Sequence, residues 1–274
     1  MAQTQTQTRE LESIYQAVAR LERDGESGAL CAITRSRGST PRRAGSKMLV
    51  YEDARFIGTV GGGEVESRVI REALEAIKDG RPRVLSYDMV NPAEGDPGVC
   101  GGQLEVYVEP ILAKPVLLII GGGHVGRALA HLARWLNFRV AVSDDRVEFC
   151  TPEANPDAEI FYPVKMAALP EQMKINRHTY IVLTTRGVAV DIEGLPELLN
   201  TPAAYIGVIG SRRRWTVTRK ALLDAGVSEE AVRKVVSPIG LELNAETPEE
   251  IAVSIMAEIL MLRNGGSGQP MKME

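Results

Sequence analysis

The chain has 274 residues, 44% of them hydrophobic and 25% charged, which suits a folded protein of one large or two modest domains. A net charge of −4 argues against a general nucleic-acid binder, and no run approaches the roughly 20 apolar residues of a membrane span. The cysteines Cys31, Cys100 and Cys150 show neither paired nor metal-ligand spacing, and the N-terminus lacks the basic and apolar regions of a signal peptide. A cytoplasmic protein with no metal site is therefore expected.

In chain order, residues 1–8 read as a disordered polar tail. Leu11, Ile14, Tyr15, Val18 and Leu21 recur at helical spacing and predict an amphipathic helix over 9–24. A short apolar strand is expected over 29–34, then a basic loop over 35–45. Residues 46–51 and 55–60 read as a strand pair, and a helix is predicted from Gly61-Gly62-Gly63 to about residue 79. Another strand is expected over 83–87, a turn-rich stretch over 88–102, and an alternating half-buried strand over 104–108. Pro110 and Pro115 bracket a short connector, so the chain is expected to divide into 1–113, 114–264 and a flexible tail, 265–274. Beyond the connector come βαβ units, with strands predicted over 116–120, 138–143, 159–162, 179–184 and 204–209. Thr247-Pro248-Glu249-Glu250 then opens the last helix as a capping box.

The segment 116–126 is the most informative. Five apolar residues run into Gly121-x-Gly123-x-x-Gly126, a helical pattern follows, and a second apolar run ends at Ser143-Asp144-Asp145. Strand, glycine turn, helix, strand and acidic tip make a dinucleotide-binding unit. The glycines let a pyrophosphate approach the free N–H groups at the helix start. Asp144 lies 18 residues after Gly126, where an acid would meet a ribose hydroxyl. The alternative is a glycine turn kept for packing alone.

Other candidates are weaker. Arg35, Arg37, Arg42, Arg43 and Lys47, with Ser39 and Thr40 between them, suit an anion or a solvated loop. Gly61, Gly62 and Gly63 form a second anion cradle or a tight turn, with Glu64 and Glu66 opposing an anion. Gly210, Ser211 and Arg212 follow an apolar strand and are expected at the same crevice as Gly121. Cys100 sits beside two glycines, where a thiol could be accessible, whereas Cys31 reads as core. No Ser-His-Asp arrangement and no evident general base for hydride chemistry occur.

These pieces together resemble the XdhC/CoxI family, accessory proteins for molybdenum hydroxylases such as xanthine dehydrogenase. In the first half the likeness rests on Gly38-Ser-Thr-Pro-Arg42, Gly45-Ser-Lys-Met48, Gly58-Thr-Val-Gly-Gly-Gly-Glu-Val-Glu66 and Cys100-Gly-Gly102. In the second it rests on Gly121-Gly-Gly-His-Val-Gly126, Asp144-Asp-Arg146, Tyr205-Ile-Gly-Val-Ile-Gly-Ser-Arg-Arg213, Ser237-Pro-Ile-Gly240 and Glu246-Thr-Pro-Glu-Glu-Ile-Ala-Val-Ser254. It spans nearly all of residues 11–263.

The resemblance implies an α/β chain: an N-terminal α+β domain of the XdhC/CoxI type, then a Rossmann-like domain with a doubly wound parallel sheet. It implies maturation rather than turnover. Such proteins hold the molybdenum cofactor, as molybdopterin or its dinucleotide form, protect it during sulfuration and deliver it to an apo molybdenum hydroxylase. A cysteine desulfurase supplying the sulfur is the second expected partner, and a homodimer is one way to shield the cargo. The cofactor-binding residues it implies are Gly121, Gly123, His124, Val125, Gly126, Asp144, Asp145, Arg146, Gly210, Ser211 and Arg212. Ser39, Thr40, Arg42, Lys47, Gly61, Gly62 and Gly63 are implied in the first half. Cys100 is implied to contact molybdenum or relay sulfur. One departure stands out: where the family has Thr-Arg-Gly-His, this chain reads Thr185-Arg186-Gly187-Val188. The competing readings are an NAD(P)-linked oxidoreductase using the same crevice and a regulatory scaffold whose crevice is empty.

Overall fold

Ser13 caps the first helix of the computed structural model, which describes residues 12–89 and 101–271. The chain divides into two units, Met1–Ala113 and Lys114–Glu274. The first contains α1 (Ile14–Arg23), β1 (Gly28–Arg37), β2 (Lys47–Tyr51), β3 (Phe56–Gly58), α2 (Gly63–Asp79), β4 (Arg83–Asp88) and β5 (Gln103–Ile111). Its sheet is antiparallel in the order β3-β2-β1-β5-β4. Side chains alternate across a strand, and β2 shows the result. Met48 and Val50 join the core under α2, with Val65, Val69 and Ala73. Leu49 and Tyr51 pack with Ala17 and Leu21 of α1. Strand β1 runs past its expected end at residue 34. A register shift between Ile33 and Arg35 lets Arg35 and Arg37 keep pairing with Glu105 and Gln103, so two arginines expected in a loop lie in the sheet.

The second unit contains β6 (Val116–Ile120), α3 (His124–Trp135), β7 (Arg139–Ser143), β8 (Ile160–Tyr162), α4 (Leu169–Gln172), β9 (Thr179–Leu183) and α5 (Val188–Leu199). It continues with β10 (Tyr205–Val208), α6 (Arg212–Asp224), α7 (Glu229–Arg233), β11 (Val235–Val236) and α8 (Pro248–Asn264). The strand pairs are all parallel, in the order β11-β10-β9-β6-β7-β8. Read from β8, this is the doubly wound order 3-2-1-4-5-6, with the chain direction switching between β6 and β9. Leu117 and Ile119 face the α3 and α8 core; Leu118 and Ile120 face the α5 core. Cover on both faces explains why β6 reads as an unbroken apolar run.

Helix α5 has no clear signal in the sequence because Gly194 and Pro196 lie inside it. The glycine is needed: a Cβ there would meet the Met166 side chain at 2.5–2.6 Å. Helix α8 begins at its expected box, Thr247 accepting from the Glu250 N–H at 3.2 Å and Glu250 from the Thr247 N–H at 3.1 Å. Farther along α8, Glu258 accepts from the Tyr205 hydroxyl at 2.5 Å and the Gly240 N–H at 3.0 Å. That carboxylate ties the Ser237-Pro-Ile-Gly240 loop to the helix. Among the described residues, no helix is long and apolar enough to cross a membrane.

Thr247→Ala removes the side-chain half of the box. The expected cost is about 0.5–2 kcal/mol in urea unfolding, with the denaturant slope unchanged.

Candidate functional site

The three glycines of the turn after β6 have three different reasons to be glycine. Gly121 sits at φ +115°, its N–H donates to the Ser143 carbonyl at 2.8 Å, and a Cβ would meet the Thr184 carbonyl oxygen at 2.6 Å. At Gly126 a Cβ would collide with the Gly121 carbonyl oxygen. Backbone contact fixes both positions. Gly123 caps α3 at φ −73°, and a Cβ there would meet nothing within 4 Å. It leaves open the approach to the first turn of α3, whose N–H groups lack intrahelical partners and which carries no acidic residue.

At the end of β7, the Asp144 side chain is 2% exposed. Its Oδ2 accepts from the Gly122 N–H at 3.0 Å and Arg146 Nη2 at 2.8 Å; its Oδ1 accepts from the Arg146 N–H and Nε, both at 3.0 Å. The Arg146 guanidinium lies 3.9 Å over the Phe149 ring. Asn155 holds the turn from another side, donating to the Gly122 carbonyl at 3.2 Å and the Phe149 carbonyl at 2.8 Å. Its Oδ1 is buried without a partner among the described residues. Asp145 receives both terminal nitrogens of Arg186, at 2.6 and 2.9 Å, and that pairing holds its carboxyl down at about 2. The bridge joins the ends of β7 and β9, the two neighbours of β6.

These segments enclose a cavity of about 230 Å³, walled by Gly121, Asp144, Asp145, Arg146, Thr185 and Arg186 and by residues 164–167 and α5. Lys165 and Glu193, paired at 2.7 Å, complete its charged rim. Three cations thus face three carboxylates, so the rim is ionic but balanced.

Beyond β9 and β10 lies a buried network. Thr185 donates its hydroxyl to Asp191, which is fully buried. Arg214 donates to Asp191 at 2.7 Å, to the Thr185 hydroxyl at 2.7 Å and to the Thr185 carbonyl at 3.2 Å. The Ser211 hydroxyl caps α6 by accepting from the Arg214 N–H at 3.2 Å, and Gly210 takes φ +144°. Gly210, Ser211 and exposed Arg212 stand at the same carboxyl edge as Gly121 but outside the cavity wall. His124 is exposed and borders a separate groove between α3 and α8, with His131 and Pro248. Arg186 falls in the Thr-Arg-Gly stretch shared with the family, but neither its pairing with Asp145 nor that of Arg214 with Asp191 has a local signal, and Asn155 has none at all.

In the first unit, three motif segments converge. Gly61, Gly62 and Gly63 all take positive φ. Pro41 stands 3.3 Å from where a Cβ of Gly61 would lie, and Gly101 and Gly102 press against Gly38 and Ser39. Glu66 accepts from the Thr59 hydroxyl at 2.5 Å and Glu64 from Arg68 at 2.9 Å, so both acids beside the glycine turn are held by local donors. Ser39 and Arg42 are exposed, and Thr40 donates to the Arg42 carbonyl at 2.8 Å. The Lys47 ammonium sits 5.7 Å over the Tyr15 ring. Cys31 is fully buried, and burial pushes its thiol up to about 12. Cys150 is also buried, donating to the Val142 carbonyl at 3.3 Å. Cys100 lies outside the described residues.

Residues 117–259 match the model of the XdhC Rossmann domain, and residues 21–88 match that of the XdhC and CoxI family. The chain is 36% identical over 258 residues to the uncharacterized protein YqeB of Escherichia coli (strain K12), covering 93% of this chain and 47% of that protein. It is 34% identical over 162 residues to a probable xanthine dehydrogenase subunit of Bacillus subtilis (strain 168), covering 58% of this chain and 46% of that protein. It is 24% identical over 275 residues to the molybdenum cofactor insertion chaperone PaoD of Escherichia coli (strain K12), covering 87% and 84% of the two. The chain thus spans about half the length of the first two relatives.

The glycine turn and the buried network differ in what a substitution would cost. Gly126→Ala is expected to cost about 1–3 kcal/mol or more, while Gly123→Ala changes stability by less than about 1 kcal/mol, both read by urea unfolding. Asp191→Ala leaves Arg214 without its buried partner and is expected to cost about 3–5 kcal/mol in the same measurement.

Proposed function

The chain belongs to the XdhC and CoxI family, and from that premise we propose that it is a chaperone for the molybdenum cofactor. In this reading it holds the cofactor, shields it while its terminal sulfur is added by a cysteine desulfurase, and inserts it into an apo molybdenum hydroxylase in the cytoplasm. The observation that carries the reading is the open Gly123 above the start of α3, beside a polar cavity at the switch point. Molybdopterin ends in a phosphate, or in a pyrophosphate in its dinucleotide form, and Gly123 leaves room for such a group where a side chain would fill it. The N–H groups of Gly123, His124 and Val125 would take the phosphate oxygens. The glycine turn at 61–63, with Ser39, Thr40, Arg42 and Lys47, would serve as a second anion-binding surface on the first unit. Cys100 would contact molybdenum or relay sulfur. The cofactor is cargo here; it supplies redox chemistry only in the client enzyme. The relatives' names support the same reading, because one is an insertion chaperone and another a probable component of xanthine dehydrogenase.

A second reading, an NAD(P)-linked oxidoreductase, draws on the same strand order and glycine turn. One experiment separates the two. The protein is purified from cells that make the cofactor, and its molybdenum is measured together with the fluorescence of oxidised pterin. Both are expected in the wild-type protein, and both are expected to fall about tenfold or more in Gly123→Val, a loss of at least about 1.4 kcal/mol of binding. Cys100→Ser is expected to lower cofactor retention or activation of a client hydroxylase. Wild-type protein free of molybdenum and pterin, but binding a nicotinamide nucleotide tightly, would overturn the chaperone reading.

A further inference from the structure

Asp144 occupies the position where a doubly wound fold that binds a bare ribose keeps an acceptor for the sugar hydroxyls. Here that acceptor is already filled. A carboxylate offers about four lone-pair sites, and the Gly122 N–H, the Arg146 N–H, Arg146 Nε and Arg146 Nη2 occupy them. With the side chain 2% exposed, a ribose diol would have to break this set to bind. Asp145, the next carboxylate in the wall, takes one Arg186 nitrogen at each oxygen, so its remaining lone pairs lie beside a guanidinium.

The side chains of the cavity wall left with donor capacity are cationic. Arg146 uses Nε and Nη2 on Asp144, its Nη1 makes no hydrogen bond among the described residues, and the guanidinium is held flat by Phe149 on one side. It lines the cavity and is 36% exposed. A fixed guanidinium with free N–H groups suits phosphate oxygens and offers nothing to a hydroxyl that needs an acceptor. The balanced rim provides no strong field, so recognition must come from hydrogen bonds; Arg186 and Lys165 also keep donors at the rim, and Arg146 is the one of the three held against a ring beside the end of β7.

We propose that Arg146 determines specificity at this crevice. It selects a nucleotide or pterin carrying a phosphate monoester beside the end of β7, and it disfavours a bare ribose diol. Asp144 is a positioning residue that aims Arg146 and pins Gly122. The inference rests on reading the crevice as a site for a phosphorylated ligand. The phosphate comes either from a ribose 2′-phosphate or from the ester end of a pterin cofactor.

NADPH and NADH differ only by a 2′-phosphate and serve as matched probes of the full chain, titrated by fluorescence. The expected result is NADPH binding about tenfold or more tighter than NADH, with the preference lost in Arg146→Gln and partly kept in Arg146→Lys. The ratio of the two affinities is the readout, because general loosening of the site lowers both and leaves it unchanged. Equal affinities, binding of neither probe, or a preference that survives Arg146→Gln would overturn the proposal. Retained pterin in Arg146→Gln identifies the source: a fall assigns the phosphate to the pterin, and an unchanged level assigns it to the ribose. Wild-type protein without pterin would sink the chaperone reading alone, whereas an affinity ratio near one would sink this inference alone.

Discussion

The approach of Gly126 to the Gly121 carbonyl oxygen sets the geometry of the second unit. A side chain at Gly126 would push α3 away from the end of β6, and one at Gly121 would strike the Thr184 carbonyl oxygen just after β9. Because Gly126 and Gly121 touch, the N-terminus of α3 lies directly after the strand, and the Gly122 N–H comes within 3.0 Å of Asp144, just past the end of the neighbouring strand β7. Asn155 then closes on the Gly122 carbonyl from a segment 33 residues away. The turn is thus held at its N–H by one strand end and at its C=O by a later loop. Such a turn is built in advance of any ligand, and rigidity of that kind lowers the ordering cost of binding an anion.

The parallel strands were legible because they are covered on both faces. Residues 116–120, 179–183 and 205–208 are apolar almost without interruption, and each lies in the sheet. Strand ends were less legible where charge misled: Arg35 and Arg37 look like loop residues but pair with β5 across a bulge. Helix α5 was hidden by Gly194, a residue of poor propensity required by Met166, and by Pro196. Tertiary contact overrode propensity in both cases.

Within the site, spacing located Asp144 but could not reveal what fills its lone pairs. Arg186 lies 41 residues from Asp145, and Arg214 lies 23 from Asp191. Nothing local marks those arginines as partners, and only the order of strands brings the loops after β7, β9 and β10 to one edge. The first unit shows the same limit. Glu64 and Glu66 looked unfavourable for an anion, yet Arg68 and Thr59 hold them by hydrogen bonds that sequence does not display. Arg68 offsets the charge of Glu64, whereas the neutral Thr59 hydroxyl orients Glu66 and leaves its charge in place.

The valine at position 188 gains its meaning from the network beside it. Asp191, one turn into α5, holds Thr185 and Arg214, and none of those bonds passes through residue 188. An apolar side chain can therefore start α5 without breaking the ties between β9 and α6. The ion pairs of Asp145 with Arg186 and of Lys165 with Glu193 likewise do not involve residue 188. Polar recognition at this end of the sheet then rests on fixed charges, chiefly the arginines, whose protonation does not change near neutral pH.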